Sequence, residues 1–349
     1  MSTYICIRPA ALVGRVRDAL VFAGVPDAIA RIEADVMVEA DRCGVPSHGI
    51  LMLPRLIAGL RDGRATATPV LRVVREHGAT CVLDGDNGPG RFVAVQAMDQ
   101  AVARARAHGV GVCLARNTTH WGRAHAYAVR AARDGMIGLC TTNAIPTLMA
   151  PGVPRPLLGN NPIAIAVPRS DGRDPVVLDL AMSQAAFGKV ATHAREGRPI
   201  PGDWGADGAG APTTDPAAIL ASGLLLPMGG HKGFGLALMM ELLTAALAGG
   251  PFGHEIAAGD ATGLDPGATK LFVAIDPAAF GAPDLFAYRV DAMLDDLRAS
   301  DALHGPQAPG DRGWRVRDEY DRDGIPIHPA VVAQLESVGV RLTDAGAGR

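Results

Sequence analysis

The sequence predicts an α/β fold preceded by a helical region, and two patterns carry this prediction. Between residues 9 and 73, apolar residues recur with the period of a helix. From about residue 70 onward, short apolar runs alternate with amphipathic stretches, as strands and helices do around a central sheet. The 349 residues, 48% of them hydrophobic, are enough for one large domain or two ordinary ones.

Three helices are predicted in the first part of the chain. Residues 9–25 and 27–44 have helix-spaced apolar positions and a glycine near the end. A third helix follows the stretch GVPSHGILMLPRL (44–56) and stops at a break rich in glycine, proline and threonine. That break is where we expect a domain boundary.

The remainder of the chain alternates between the two element types. Predicted strands cover 71–88 (two short strands), 110–117, 136–143, 162–168, 176–181 and 271–280, and predicted helices cover 91–109, 122–135 and 291–300. Residues 202–216, rich in Gly, Pro and Asp, predict a loop near a site. The most apolar stretch, 234–250, predicts a buried helix, because it is too short to span a bilayer and contains Glu241.

These patterns divide the chain into three parts. We expect a helical region over 1–73 and an α/β cofactor-binding domain over 74–297. A C-terminal segment over 298–349 is expected to pack back on the helical region.

Composition excludes several classes of partner. The net charge of −3 and the lack of any Lys/Arg run give no reason to expect nucleic acid or a membrane surface.

The five cysteines are scattered and never in C-x-x-C spacing, which favours a reduced intracellular protein over a disulfide scaffold or a zinc site. Arg8 and Arg15 interrupt any signal-peptide core, so we expect a cytoplasmic protein.

A Rossmann dinucleotide fingerprint is absent. The nearest match, DGDNGPGRF, has its glycines at 85, 88 and 90, which is not the G-x-G-x-x-G spacing. Any nicotinamide site must therefore be built in another way.

Two histidine segments could carry acid/base chemistry. Beside Ser47, His48 could exchange a proton near neutral pH, and the hydroxyl could fix its tautomer; alternatively Ser47 is a helix N-cap and His48 a first-turn residue. The segment NTTHWGRAHAY (117–127) lies between a strand and a helix, where backbone N–H groups can hold anionic oxygens. No metal site is predicted there, because His120 and His125 are five residues apart.

Two further segments could bind a ligand. In LGNNPIAIAVP (158–168) the paired amides could satisfy a turn or face a ligand. Downstream, Asp179 ends a strand and Lys189 follows on a helix, where a lysine could equally be a surface residue. In LLLPMGGHKGFGLALMMELL (224–243) glycines and Lys232 precede a helix, a pattern that suits an anion but lacks P-loop spacing.

Taken together, these segments resemble the malate/L-lactate dehydrogenase family, which is unrelated to the Rossmann-type malate and lactate dehydrogenases. The family also includes ureidoglycolate, sulfolactate and diketogulonate enzymes and Δ1-piperideine-2-carboxylate reductases. The matching segments run in family order from residue 47 to about 327: SHGI, DGDNGPG, NTTHWG, LGNNPIAIAVP, DLAMSQAAFGK, GRPIPGDWGADGAGAPTTDP, LLPMGGHKGFGLALMMELL and PGDRGWRVRDEYDRDGIPI. The resemblance implies a homodimeric NAD(P)-dependent oxidoreductase whose nicotinamide-binding domain, with a mixed central sheet, is not a Rossmann domain.

The resemblance also implies roles for individual residues. His48 matches the family's proton donor or acceptor, Ser47 its hydrogen-bonded partner, and His120 a second candidate for the acid/base role. The positions that match cofactor contacts are His120, Trp121, Gly122, Arg123, Ala124, Asp179, Leu180, Ala181, His231, Lys232, Pro309, Gly310 and Asp311.

Met52 departs from the family pattern. Much of the family has an arginine there that binds the substrate carboxylate, a bidentate role that a thioether does not fill. On a helix Arg55 would lie on a similar face and lean toward His48, so it is the predicted replacement, although Pro54 would kink that helix or start a new one. The alternative is that Met52 forms an apolar wall and the substrate has no carboxylate at that point.

Two other positions bear on the substrate. Asn160 stands where a threonine or another small polar residue often contacts substrate in the family. Lys189 stands where the imine-reducing branch has an aspartate, so it favours C=O/C–OH chemistry and is predicted to stabilise a developing oxyanion. We therefore expect hydride transfer between the nicotinamide and a small 2-hydroxy acid, 2-oxo acid or related carbonyl, with His48 exchanging the proton.

Three questions stay open at this point. A cyclic-imine reductase and a cofactor-binding protein without turnover are the alternative functions. The sequence does not distinguish NAD(H) from NADP(H). In a Rossmann domain an acidic residue that binds the ribose would indicate NAD, but this sequence has no such motif.

Overall fold

The computed structural model describes residues 4–170, 172–259, 264–299 and 306–342, and a seven-stranded mixed sheet lies at its centre. Across the sheet the strands are β2 (Arg72–His77), β3 (Thr80–Gly88), β4 (Val110–Thr118), β12 (Ala268–Ile275), β5 (Ile137–Thr142), β8 (Ile163–Val167) and β9 (Val176–Leu180). Strands β3 and β4 are parallel, and the other neighbours are antiparallel. The predicted α/β fold with a mixed sheet is confirmed.

Two helices pack on this sheet and on each other. Helix α4 (Gly90–His108) lies against β4 and β12, and α5 (His125–Arg133) lies against β5 and β8. A side chain at Gly90 would collide with the carbonyl oxygen of Thr119, so glycine lets α4 approach the turn after β4 closely. That turn carries the predicted His120 segment.

The N-terminal helices share a core with the C-terminal segment. This part contains α1 (Pro9–Phe22), α2 (Asp27–Arg42), α3 (Leu53–Arg61), α11 (Asp311–Asp323) and α12 (Pro329–Ser337), and β1 (Ile5–Ile7) pairs antiparallel with β13 (Ile325–Ile327). Buried side chains from both ends of the chain form one apolar cluster, including Leu12, Leu20, Met37, Leu53, Ile327 and Leu335. The boundaries at residues 73 and 297 stay predictions.

A second sheet has four very short strands that the sequence did not reveal. Its order is β10 (Gly205–Ala206), β11 (Leu224–Leu225), β6 (Leu148–Met149) and β7 (Pro156–Leu158). Helices α6 (Phe187–Arg195) and α7 (Pro216–Ser222) contact each other beside it. Residues 202–215 are irregular apart from β10, in line with the predicted loop, and the last residue of that loop, Pro216, begins α7.

The apolar stretch 234–250 is helical but is not buried as predicted. Helix α8 (His231–Glu241) continues through a π-helical turn, and one side of this combined helix is exposed. The exposed apolar side chains are Leu236, Leu238, Met239, Leu242, Leu243 and Leu247. We call this set the α8 apolar face.

Helices α9 (His254–Gly259) and α10 (Pro283–Ala299) complete the described elements, and α10 begins eight residues before the predicted start. No helix in the described residues is both long and apolar enough to cross a bilayer.

Candidate active site

A cavity of about 220 Å³ brings most of the predicted site residues together. It lies where the turn after β4, the turn before β8, the end of β9 and the start of β12 meet the Ser47–His48 segment. Its lining residues are Val45, His48, His120, Trp121, Gly122, Arg123, Ala124, Thr142, Ala144, Asn160, Pro162, Asp179, Leu180, Ala181, Ala186, Asp265, Ala268 and Lys270.

The Ser47–His48 segment is not the start of a regular helix. It forms two consecutive 3-10 turns, 46–48 and 50–52, before α3 begins. Asp41 of α2 holds the turns in place, because its Oδ2 accepts a hydrogen bond from Ile50 N–H at 2.7 Å. A side chain at Gly49 would collide with that carboxylate, so the local chain path depends on glycine.

Ser47 contacts His48 instead of capping a helix. Its Oγ lies 2.9 Å from His48 Nδ1, and no side-chain cap is present at this turn. A Cβ added to Gly188 of α6 would come within 2.7 Å of Ser47 Cβ, so α6 packs directly behind the serine. The hydroxyl therefore fixes the ring of His48 from outside the cavity.

His48 is a neutral imidazole at pH 7. Burial lowers its pKa to about 4, and the positive charges of Arg91 and Arg123 act in the same direction. The carboxylate of Asp179 opposes this shift of the pKa. A neutral ring that keeps one basic nitrogen is the form that can accept a proton.

His120 lies beside His48. The two rings are stacked with centroids 6.1 Å apart. Gly122 N–H donates to His120 Nδ1 at 3.1 Å, which leaves the proton of the neutral ring on Nε2. Burial, followed by the charge of Arg91, lowers the pKa of His120 well below its usual range. The cavity thus contains two neutral imidazoles.

A buried ion pair supports the turn that carries His48. Arg91 of α4 lies 3.4 Å from Glu33 of α2, and these side chains are 2% and 0% exposed. Arg91 Nη2 also donates to the carbonyl oxygen of His48 at 3.2 Å, while Glu33 accepts from the backbone N–H of Phe92 at 2.7 Å. One guanidinium therefore ties α2 and α4 to the turn that carries His48.

Arg123 provides a donor that could hold a cofactor. Its Nε donates to Asp179 Oδ2 at 2.7 Å, which joins the turn after β4 to the end of β9. Its Nη1 is buried and has no hydrogen-bond partner among the described residues. Because buried donors are normally paired, this N–H fits an acceptor oxygen of a bound molecule.

Within the described residues no three His, Cys, Asp or Glu side chains cluster as metal ligands do.

The two asparagines before β8, Asn160 and Asn161, make different contacts. Asn161 satisfies the turn: its Oδ1 accepts from Ala144 N–H at 3.1 Å, and its Nδ2 donates to Glu241 at 2.6 Å. Asn160 lines the cavity, and its carbonyl oxygen accepts from Met182 N–H at 2.8 Å. Of the two asparagines, the predicted substrate contact, Asn160, is therefore the one that lines the cavity.

Lys270 is a cavity residue that the sequence reasoning missed. It lies on the central strand β12, is fully buried, and donates from Nζ to Thr118 Oγ1. Its Nζ is 5.9 Å from the centroid of the Trp121 ring. The available signal was a lysine in an otherwise apolar strand, ATKLFVAI, but the predicted strand began one residue after it.

A profile of the malate/L-lactate dehydrogenase family matches residues 7–336. The chain belongs to this family. The prediction from sequence resemblance is thereby confirmed, and with it an oxidoreductase that uses a nicotinamide cofactor on 2-hydroxy or 2-oxo acids or related substrates.

The relatives of this chain differ in activity. The chain is 34% identical to a malate dehydrogenase of Pyrococcus horikoshii over 91% of this chain and 90% of that protein. It is 37% identical to an L-sulfolactate dehydrogenase of Methanocaldococcus jannaschii, covering 92% of each. It is 35% identical to a Δ1-pyrroline-2-carboxylate/Δ1-piperideine-2-carboxylate reductase of Pseudomonas syringae, covering 94% of each.

The solved structures of the corresponding proteins have the same fold. TM-scores are 0.88 for the P. horikoshii malate dehydrogenase, covering 98% of this chain and 99% of that one, and 0.87 for the M. jannaschii sulfolactate dehydrogenase, covering 97% and 98%. The P. syringae piperideine-2-carboxylate reductase has a TM-score of 0.87 and covers 96% and 100%.

The predicted substrate-binding pair Met52 and Arg55 does not line the cavity of this dehydrogenase. Met52 is half-buried at the start of α3, and Pro54 lies in the first turn of that helix, so a new helix does begin there. Arg55 is exposed on α3, yet it is close enough for its charge to lower the pKa of His120.

The remaining predicted residues of this dehydrogenase lie around the cavity and not in its lining. Lys189 is exposed on α6, and its Nζ is 5.5 Å from the centroid of the Trp204 ring. His231 and Lys232 are exposed at the start of α8. The 309–311 segment is closer, since the carbonyl oxygen of Pro309 accepts from Val177 N–H of β9 at 3.0 Å. Gly310 and Asp311 follow it at the start of α11.

Proposed function

We propose that this dehydrogenase transfers hydride between a nicotinamide and C2 of a small 2-hydroxy or 2-oxo acid, with His48 exchanging the proton of the substrate oxygen. The observation that carries this proposal is the pair of neutral, stacked imidazoles in one cavity, with Ser47 bound to His48 from behind. Such a pair suits removal of a hydroxyl proton better than metal or nucleophilic chemistry.

A bound nicotinamide supplies the hydride in reduction and accepts it in oxidation. We propose that His120, Trp121, Gly122, Arg123 and Ala124 hold it together with Asp179, Leu180 and Ala181, since all of them line the cavity. The partnerless Nη1 of Arg123 offers a hydrogen bond to one of its oxygens. We propose His231, Lys232, Pro309, Gly310 and Asp311 as contacts to more distant parts of the cofactor.

His48 is proposed to act as the base in oxidation. With its pKa at about 4, the ring is unprotonated over the whole range near neutrality. When it takes the hydroxyl proton, the carboxylate of Asp179 stabilises the imidazolium, because that charge favours protonation of His48. In reduction the ring first takes up a proton from solvent and then gives it to the substrate oxygen as the hydride is transferred. Ser47 supports both directions, because its hydroxyl can donate to Nδ1 or accept from it.

Four other predicted residues keep proposed roles, and they differ in how directly each could reach the substrate. Asn160 is proposed to contact the substrate, since it lines the cavity. Lys189 would have to leave the ring of Trp204 to reach an oxyanion. Arg55 acts on the cavity through its charge, and Met52 contributes an apolar side chain near it.

A substrate screen tests the proposed function. We expect NADH or NADPH to be oxidised with 2-oxo acids at a kcat/KM at least ~100-fold above that with matched neutral ketones or cyclic 2-carboxy imines. Higher kcat/KM with the imines would make the protein an imine reductase, and cofactor binding without turnover of any compound would make it a binding protein. The ratio of kcat/KM with NADH and NADPH settles the cofactor.

We also propose that the dehydrogenase is a homodimer that buries the α8 apolar face. Six large apolar side chains on one helix are an unusual surface for a monomer. In light scattering after size exclusion we expect the wild type at twice the chain mass and Met239→Glu at the chain mass. Met293→Glu, on the exposed side of α10, is the matched control and should stay dimeric. A monomeric wild type at tens of micromolar would contradict the proposal.

We propose a cytoplasmic location for the enzyme. Its five cysteines, Cys6, Cys43, Cys81, Cys113 and Cys140, are all free thiols, as expected for a reducing compartment.

A further inference from the structure

We infer that Lys270 is the cation that binds the carboxylate of the substrate, an assignment that rests on the proposed function. Lys270 lies between β4 and β5 on the central strand, in register with Ala115 and Thr142. Both neighbouring strands are buried here, and Lys270 itself has no exposed surface. A lysine is costly at such a position unless its charge is used, because burying an ammonium loses its hydration.

Apart from the two histidines, two basic side chains line the cavity, Arg123 and Lys270, and they have different partners. Arg123 is bound to the carboxylate of Asp179 at 2.7 Å. Lys270 donates to Thr118 Oγ1, a neutral hydroxyl whose own proton goes to the carbonyl oxygen of Ala268 at 3.0 Å. An ammonium has three donors, and Thr118 takes one of them. A bound carboxylate can therefore be accepted without breaking the Arg123 ion pair.

The position of Lys270 relative to the histidines suits a 2-oxo acid. The charge of Lys270 is among those that lower the pKa of His120, and His120 stacks on His48. In a 2-oxo acid the carboxylate is one bond from the carbonyl carbon. Because His48 and Lys270 line the same cavity of about 220 Å³, we place the carboxylate of an acid whose C2 oxygen meets His48 at Lys270.

The titration of Lys270 adds a pH signature. Burial lowers its pKa to about 7, and the charge of Asp265, another lining residue, opposes this shift. A bound carboxylate would favour the ammonium, so substrate binding takes up a proton where the free lysine is neutral. Besides the carboxylate of Asp265, the groups that face Lys270 from the other elements are the hydroxyl of Thr118, the ring of Trp121 and the imidazole of His120, which is neutral.

Three variants test this assignment. Lys270→Met keeps the length of the side chain and removes the charge, Lys270→Arg keeps the charge at all pH values, and Arg106→Met removes an exposed charge as the control. We expect Lys270→Met to raise KM for the best 2-oxo acid by at least ~30-fold and to leave the Kd for NAD(P)H within twofold. The amide of the same acid should be turned over equally by the wild type and Lys270→Met.

The pH profile separates substrate binding from a structural role. Above pH 7 the wild-type KM should rise by about tenfold per pH unit, since the ammonium is being lost. The rise should be absent in Lys270→Met, which never carries the charge, and in Lys270→Arg, which keeps it throughout. If Lys270→Met does not fold, as judged by its melting temperature, Lys270→Gln takes its place.

Binding of oxamate tests the role of Lys270 without requiring turnover. It can therefore fail or succeed independently of the proposed reaction. Oxamate, a carboxylate analogue of a 2-oxo acid, is titrated into the enzyme–NAD(P)H complex and followed by cofactor fluorescence. Binding by the wild type that is lost in Lys270→Met supports the assignment even if no acid is turned over. Equal binding by both proteins, no binding by either, or a KM for Lys270→Met within threefold of the wild type overturns it.

Discussion

His48→Ala is expected to lower kcat by about 10³-fold, within the range typical of losing a general base. The Kd for NAD(P)H should stay within about twofold, because His48 lies outside the segments proposed to hold the cofactor, which follow β4 and β9. Stopped-flow turnover at saturating substrate measures the first value, and fluorescence titration measures the second. Added imidazole should restore part of the lost turnover.

His120→Asn is the matched variant. The amide oxygen of asparagine can still accept the hydrogen bond from Gly122 N–H that His120 Nδ1 accepts at 3.1 Å. We expect it to lower kcat less than tenfold. If instead His48→Ala keeps near-normal turnover and His120→Asn loses it, the acid/base role belongs to His120.

Glu33→Gln is expected to cost about 3–5 kcal/mol of unfolding free energy, because it leaves the guanidinium of Arg91 buried without its counter-ion. Glutamine keeps the size of the side chain and the hydrogen bond to Phe92 N–H, so the loss reports the charge and not the shape. Urea denaturation measures the effect. A lower kcat should accompany it, since Arg91 also binds the carbonyl oxygen of His48.

Asp99→Asn is the control for this experiment. It breaks the Arg130–Asp99 pair, whose side chains are 47% and 39% exposed, and pairs of that kind contribute less than about 1 kcal/mol. Equal losses of unfolding free energy in the two variants would contradict the prediction, because the buried Glu33–Arg91 pair would then contribute no more than an exposed one.

The elements with strong periodicity could be predicted from the sequence. The strand–helix–strand–helix order from β3 to α5 follows from apolar runs and amphipathic stretches that differ clearly in period. The resemblance then selected His48, His120, Asn160 and Asp179, and these four residues from separate segments line one cavity. The spacing of these residues alone could not predict that they share a site, because each segment can also be explained as a turn, a cap or a surface residue.

Other features depend on contacts that a linear sequence does not reveal. The 3-10 turns around His48 are held by Asp41, a carboxylate on the preceding helix. The α8 helix is apolar on nearly all sides, which is typical of a buried helix, yet no described residue covers one of its sides. The strands of the second sheet, at two or three residues each, are too short to produce a pattern.

The close approach of Gly188 to Ser47 has a consequence for engineering this enzyme. A Cβ at position 188 would press on Ser47, which contacts the ring of His48. The first turn of α6 and the Ser47–His48 turn therefore cannot change independently. Libraries that recast α6 to change the substrate range should therefore keep this glycine fixed. Diversity is better introduced at Asn160 or around Met52, where new side chains would leave that contact intact.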